Sequence, residues 1–179
     1  LVSGGGDAAA VVDLSPGLYT AVCSGKGAAT GVALVEIYDR DEGAEGTSWL
    51  SNISCRADVR TGDDVVVVGV VVKGNCPQLV LVRVVGPTLA GFGVAGILAD
   101  PVAEIHRSLP GGGSVLIGGN DDWANSLDVD QTGAAAGAFP LVSNSKDAGI
   151  VTSLAPGVYT IVVSGNGAQT GIALVELYA

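Results

Sequence analysis

The chain contains no methionine, one histidine, three cysteines, eight lysines and arginines together, and only 4% aromatic residues. Each scarcity excludes something. Eight bases set against 18 acids, with a net charge of −10, cannot form the basic patch that binding nucleic acid phosphates requires, and the same balance argues against anionic membrane surfaces. The longest apolar run, Val65 to Val72, stops at Lys73 and is far short of the roughly 20 residues a bilayer-spanning helix needs. No secretory signal peptide is present. With no Met anywhere and Leu at position 1, the chain is read as a mature product or a piece of a longer one. There is no CxxC pair, and the lone His106 completes neither a zinc finger nor a nucleophile–base–acid triad. No stretch carries a sustained apolar stripe of period 3.6, which leaves little room for long helices. Disorder is excluded as well, because 48% of the residues are hydrophobic and charge is sparse.

What is abundant is valine, alanine and glycine, with 28 Gly, a composition that favours strands and tight turns. It is also duplicated. Asp7 to Tyr38 reads DAAAVVDLSPGLYTAVCSGKGAATGVALVEIY, and Asp147 to Tyr178 reads DAGIVTSLAPGVYTIVVSGNGAQTGIALVELY. The offset is 140 without a gap, and 20 of the 32 positions are identical. A fixed period without insertions marks a duplicated structural unit. Each copy is expected to be a three-strand meander with a Pro-Gly first turn: Ala8 to Leu14, Leu18 to Ser24 and Val32 to Tyr38, then Gly149 to Leu154, Val158 to Ser164 and Ile172 to Tyr178.

Between the copies, Arg40 to Thr47 reads as a charged linker. The single-copy region offers strands at Trp49 to Val59, Val65 to Val72 and Leu79 to Val85, and a hairpin of Val102 to Arg107 with Ser114 to Gly118 across Leu109 to Gly113. Val65 to Val72 is apolar throughout and is expected to be covered on both faces. Gly86 to Pro101 reads as an irregular loop, and Asn120 to Ser145 as loop with a short helical turn around Gly133 to Ala138. The fold class is therefore all-β: an antiparallel β-sandwich or jelly-roll module over 47–179, preceded by a duplicated three-strand half-module with its linker over 1–46.

Candidate chemistry is thin. Gly91 to Gly96 spells GxGxxG, but no strand leads straight into it and no helix follows, so a tight loop is the better account than a dinucleotide site. Asn120, Asp121, Asp122, Asp128 and Asp130 are the densest oxygen-ligand cluster. They suit either a calcium ion, the one cofactor the sequence suggests, or turn chemistry in which Asn and Asp cap backbone amides. The adjacent pairs Asp63-Asp64 and Asp121-Asp122 point to opposite faces if extended, so neither is an acid–base pair, and no enzyme is expected. Cys23 stands where the second copy has Val163 and is expected as a buried thiol, an intermolecular bond being the alternative. Cys55 and Cys76 bracket two strand candidates and are a candidate disulfide in an oxidising compartment. Asn52-Ile53-Ser54 matches the N-glycosylation pattern, which a bacterial origin would make incidental.

Several segments resemble a known family. These are Asn120-Asp121-Asp122-Trp123, Ser145-Lys146-Asp147-Ala148, Leu154 to Thr160 and Gly171-Ile172-Ala173-Leu174. They are similar to bacterial pre-peptidase C-terminal-type β-sandwich modules. Upstream, Asn52-Ile53-Ser54 through Gly62, Arg83 to Leu89, and Phe92-Gly93-Val94 to Asp100-Pro101 resemble a repeat of large secreted proteins of environmental bacteria. The resemblance implies a secreted, non-catalytic setting, structural or adhesive. The expectation is a subunit that polymerises with itself, head to tail through β-sheet contacts, into an extracellular filament or surface layer. The alternative is an adhesive or carbohydrate-binding accessory module of a tandem-repeat exoprotein, contacting glycans or a cell surface. Neither involves nucleic acid or membrane insertion.

Overall fold

The structure, a computed structural model, describes residues 7–39 and 48–179; the linker expected at Arg40 to Thr47 lies outside them. The chain divides into two units, Leu1–Leu50 and Ser51–Ala179.

The second unit contains eight strands: β1 (Asn52–Val59), β2 (Val66–Val72), β3 (Gln78–Val85), β4 (Pro101–Ser108), β5 (Ser114–Asn120), β6 (Ala148–Leu154), β7 (Gly157–Gly165) and β8 (Gly171–Tyr178). They form two four-stranded antiparallel sheets, ordered β1-β8-β3-β6 and β2-β7-β4-β5. This is the strand order of a jelly roll, a long hairpin bent at the β4–β5 turn and rolled so that each late strand lies beside an early one. The turn Leu109 to Gly113 works because Gly111, Gly112 and Gly113 all take positive φ, at 90°, 102° and 80°.

The expected meander is not formed, and the pairing explains why. β6 bonds β3, β7 bonds β2 and β4, and β8 bonds β1 and β3. Consecutive late strands alternate between sheets, so the segment 148–178 contains no pair of mutually bonded strands. It closes the roll on a frame made of β1 to β5.

The core between the sheets is built from alternate residues, including Val59, Val80, Val82, Val84, Ile105, Tyr159, Ile161 and Val163. A second core lies on the outer face of the first sheet, where Leu81, Val85 and Tyr178 meet Trp123, Val129 and Leu141. β3 is therefore the strand covered on both faces, with six consecutive buried residues. β2, expected in that role, is an edge strand whose Val67 and Val71 face solvent. Valine runs are favoured on exposed pleats as well as buried ones, so the run alone did not separate the two cases.

Helix α1 (Leu127–Ala135) supports the second core. Ser126 caps it, its Oγ accepting from Val129 N at 3.4 Å, and Gly137 at φ 77° terminates it. It starts earlier than the expected helical turn. Its buried stripe is only Val129 and Gly133, too narrow for a periodicity signal.

The first unit, described by itself, forms no strand among its described residues, and all of them are exposed. Leu18 and Val32 are 102% and 98% exposed, and Tyr19 is 57% exposed where its counterpart Tyr159 is 2%. Cys23, expected to be buried, is exposed for the same reason. At two points the local conformation nevertheless matches the second copy. Tyr19 Oη donates to Ser15 O at 2.7 Å, as Tyr159 Oη does to Ala155 O at 2.7 Å. Gly27 (φ 64°, ψ 34°) matches Gly167 (φ 60°, ψ 31°) inside equivalent 3-10 turns, Lys26–Ala28 and Asn166–Ala168. Residues 7–39 thus carry the sequence of the closing segment and two of its turns, without its strands.

Candidate functional site

The seam between the closing segment and its frame is where the buried polar chemistry lies. Three clusters sit along it.

The first is Asp147, fully buried just before β6. Its Oδ1 accepts from Gly86 N at 2.7 Å and Thr88 N at 3.3 Å. Its Oδ2 accepts from the Thr88 hydroxyl and from Ser145 Oγ at 2.5 Å. One carboxylate therefore pins the loop that leaves β3 to the start of β6. Each charge-assisted bond is worth more than a neutral one, and four together satisfy the buried charge.

The second is the ion pair of Arg83 (β3) and Glu176 (β8), both buried in adjacent strands. Arg83 Nε donates to Glu176 Oε2 at 2.7 Å, Nη2 lies 2.5 Å from the same oxygen without an aligned bond, and Nη1 donates to Phe139 O at 2.6 Å. The guanidinium also lies over the Phe139 ring, 4.6 Å from its centroid. Tyr178 Oη donates to Glu176 Oε1 at 2.9 Å. Burial, followed by the nearby carboxylate, pushes the Tyr178 phenol up to about 12. The folded value stands above the ordinary 10, so this contribution is intact below pH 10 and is lost as pH rises through 12. Urea midpoints measured from pH 9 to 12 are expected to fall by the equivalent of about 2–3 kcal/mol, and Tyr178→Phe to flatten that slope. A cleft of about 270 Å³ opens beside the pair, lined by Arg83, Trp123, Val129, Phe139 and Leu141 among others.

The third is Asp100, buried at the end of the β3–β4 loop. Lys146 Nζ donates to its Oδ2 at 2.8 Å and Asn166 Nδ2 to the same atom at 3.4 Å, while Oδ1 has no partner among the described residues. The Asp100 carboxylate beside Lys146 raises the lysine's pKa.

The side chains expected either as calcium ligands or in turn chemistry are placed as follows. Asn120 Oδ1 accepts from Gly149 N at 2.9 Å and its Nδ2 donates to Asp122 O at 2.9 Å, so this side chain clasps β5 to β6. Asp122 lies 3.8 Å from Lys146 Nζ. Asp121 is exposed beside it. Asp128 and Asp130 occupy the first turn of α1, where carboxylates favour the helix N-terminus. Among the described residues no group of three or more His, Cys, Asp or Glu is placed to hold a metal ion.

The Cys55–Cys76 bond is not made; all three cysteines are free and exposed. Cys55 is level with Val175, and Val175 is level with Val84, eight residues past Cys76. That is about 26 Å along a strand, far beyond what a disulfide spans. His106 sits in β4 with Nε2 3.0 Å from Glu104 Oε2. Among the described residues no helix is long and apolar enough to cross a membrane.

Sequence reasoning passed over Arg83, Asp100, Asp147 and Glu176. The available signal was in the repeat: Asp7 with Asp147, and Glu36 with Glu176, are acids identical between the two otherwise largely apolar copies. No protein-family model, curated protein or solved structure matches the chain.

Proposed function

We propose that the protein is a non-catalytic, secreted structural module, joined head to tail to like β-sandwiches through residues 7–39 in an extracellular filament or surface layer. One observation carries the reading: a second copy of the closing-segment sequence pairs in no strand among the described residues, and its apolar side chains are exposed. Burial of five or so large side chains such as Leu14, Tyr19, Leu34, Val35 and Tyr38 is worth on the order of 10 kcal/mol before entropic costs. Exposed apolar surface of that extent marks an interaction site. The resemblance to secreted bacterial modules supports the extracellular placement.

A second reading is favoured by a count. Each chain brings one frame and two closing segments, and the frame is already closed by 148–178. Copies of this chain alone therefore always leave one closing segment over. The surplus is absorbed if the chain is an adhesive or carbohydrate-binding module in a tandem array, where a neighbouring module supplies the open frame.

Light scattering and negative-stain imaging test the first reading, comparing the full chain with one beginning at Ser48. Concentration-dependent association of the full chain, abolished by the truncation, is the expected result. A full chain that stays monomeric at high concentration removes the self-assembling filament. Glycan-array binding by residues 48–179 speaks for the second reading.

A further inference from the structure

We propose that residues 7–39 dock as the sixth, seventh and eighth strands of a β1–β5-type frame whose core differs from the one in this chain. The inference rests on the reading that this segment joins modules, and it specifies the acceptor.

Features of the segment make sense only inside a frame. Gly171 is required where it stands: an added Cβ would lie 2.6 Å from Leu98 N. Its counterpart Gly31 has no atom within 4 Å of that position, so nothing local demands glycine there. Asp7, Glu36 and Tyr38 repeat the residues that hold Gly86 and Thr88 and that neutralise Arg83. Tyr38 Oη donates to Glu36 Oε1 at 2.9 Å as Tyr178 does to Glu176, but an exposed segment has no buried cation for that carboxylate to neutralise. Around Asp100 the cation changes place between the copies. The second copy has Lys146 and Asn166; the first has Gly6 and Lys26 at the same offsets. A segment with Lys26 still delivers one amine to an Asp100-type carboxylate, from the other side. The acceptor therefore carries a buried guanidinium, a loop of free amides after its third strand, and an acid before its fourth.

Other positions show that this chain's own frame is a poor acceptor. Ala9 takes the place of Gly149, where a Cβ would lie 2.8 Å from Val129 Cγ1, a β-branched side chain fixed on α1. Ala21 takes the place of Ile161, which is buried in the core between Val68 and Ile105. One position is overpacked and the other leaves a void, and both are destabilising. The fitting frame is smaller opposite residue 9 and bulkier around residue 21. It fits a related module better than a copy of this chain, in which the two misfits weaken the docking without abolishing it.

The register supplies the test. Cys55 faces Val175, so a thiol at position 35 would face Cys55 once 7–39 is docked. The thirteen residues 39–51 are long enough for this to occur within one chain. The full-length chain is made with Ile161→Asp to disable the resident strands. Val129→Ala and Ala21→Ile relieve the misfits, and Val35→Cys, Cys23→Val and Cys76→Ser leave one reporter pair. A cooperative melt and a bond between position 35 and Cys55, read by peptide mass spectrometry, are expected. Restoring Val129 and Ala21, or adding Asp7→Ala with Glu36→Ala, is expected to lower the bonding rate about tenfold or more. No bond in the relieved variant, or equal rates in all, overturns the inference. Should that variant not fold, the resident segment gives an independent reading. Lys146→Gly is expected to lower the melting temperature by a few degrees and Asn166→Lys to restore at least half of the loss; no restoration overturns it. Closure of the relieved variant beside a native chain that never self-associates leaves the inference standing and removes only assembly from copies of this chain.

Discussion

Replacing Glu176 by alanine is expected to destabilise the sandwich by about 3–5 kcal/mol, a large part of a typical domain's 5–15. The substitution strands the Arg83 guanidinium, 2% exposed, with the Phe139 carbonyl as its hydrogen-bond acceptor and the Phe139 and Tyr178 rings beside it. It also takes away the acceptor of the Tyr178 hydroxyl. The cost comes from the charge left behind. Removing both partners as Arg83→Met with Glu176→Met is therefore expected to return stability to within roughly 1–2 kcal/mol of the native chain. Urea midpoints at constant slope measure both. If the single change costs under about 1 kcal/mol, water reaches the pair in solution and it is no seam between β3 and β8.

Asp147→Ala is the second large effect, about 3 kcal/mol or more. It leaves the amides of Gly86 and Thr88 and two hydroxyls without their acceptor in a buried site. Asp147→Asn keeps one oxygen for the two amides and is expected to cost about half as much. The same change at the duplicated position, Asp7→Ala, is expected to leave the melt of the sandwich unmoved, because Asp7 is exposed. Differential scanning calorimetry of the three variants gives the comparison directly. Equal losses from Asp7→Ala and Asp147→Ala would mean that the exposed segment is docked after all.

Much of the sandwich was legible because strands announce themselves locally. Alternation in Tyr159, Ile161 and Val163 places β7, Leu109 to Gly113 can only be a turn, and the all-β class follows from many such elements. Pairing was not legible. Whether Val158 to Ser164 lies beside Ile172 to Tyr178 or in the opposite sheet depends on strands nearly a hundred residues away, and no local pattern carries that choice. A meander is the shortest connection, and the rolled topology overrides it. The polar seam was hidden for a related reason. Glu176 in ELY reads as a solvent-facing residue until α1 and the loop around Phe139 are known to cover that face. The disulfide expectation failed on distance that only register reveals. The duplication, the strongest feature of the sequence, reads as a self-contained three-strand unit, yet its second copy supplies three strands that complete two sheets and its first copy forms no strand among the described residues.

The nesting of the strands also sets a timetable. β1 begins at Asn52 and its partner β8 ends at Tyr178, 126 residues later. At ribosomal speeds of about 5–20 residues per second, the nascent β1 waits about 6–25 s for its neighbour to be synthesised. Throughout that wait the valines of β2 and β3 have emerged without their cover, while the duplicated segment, which precedes them in the chain, has already been made.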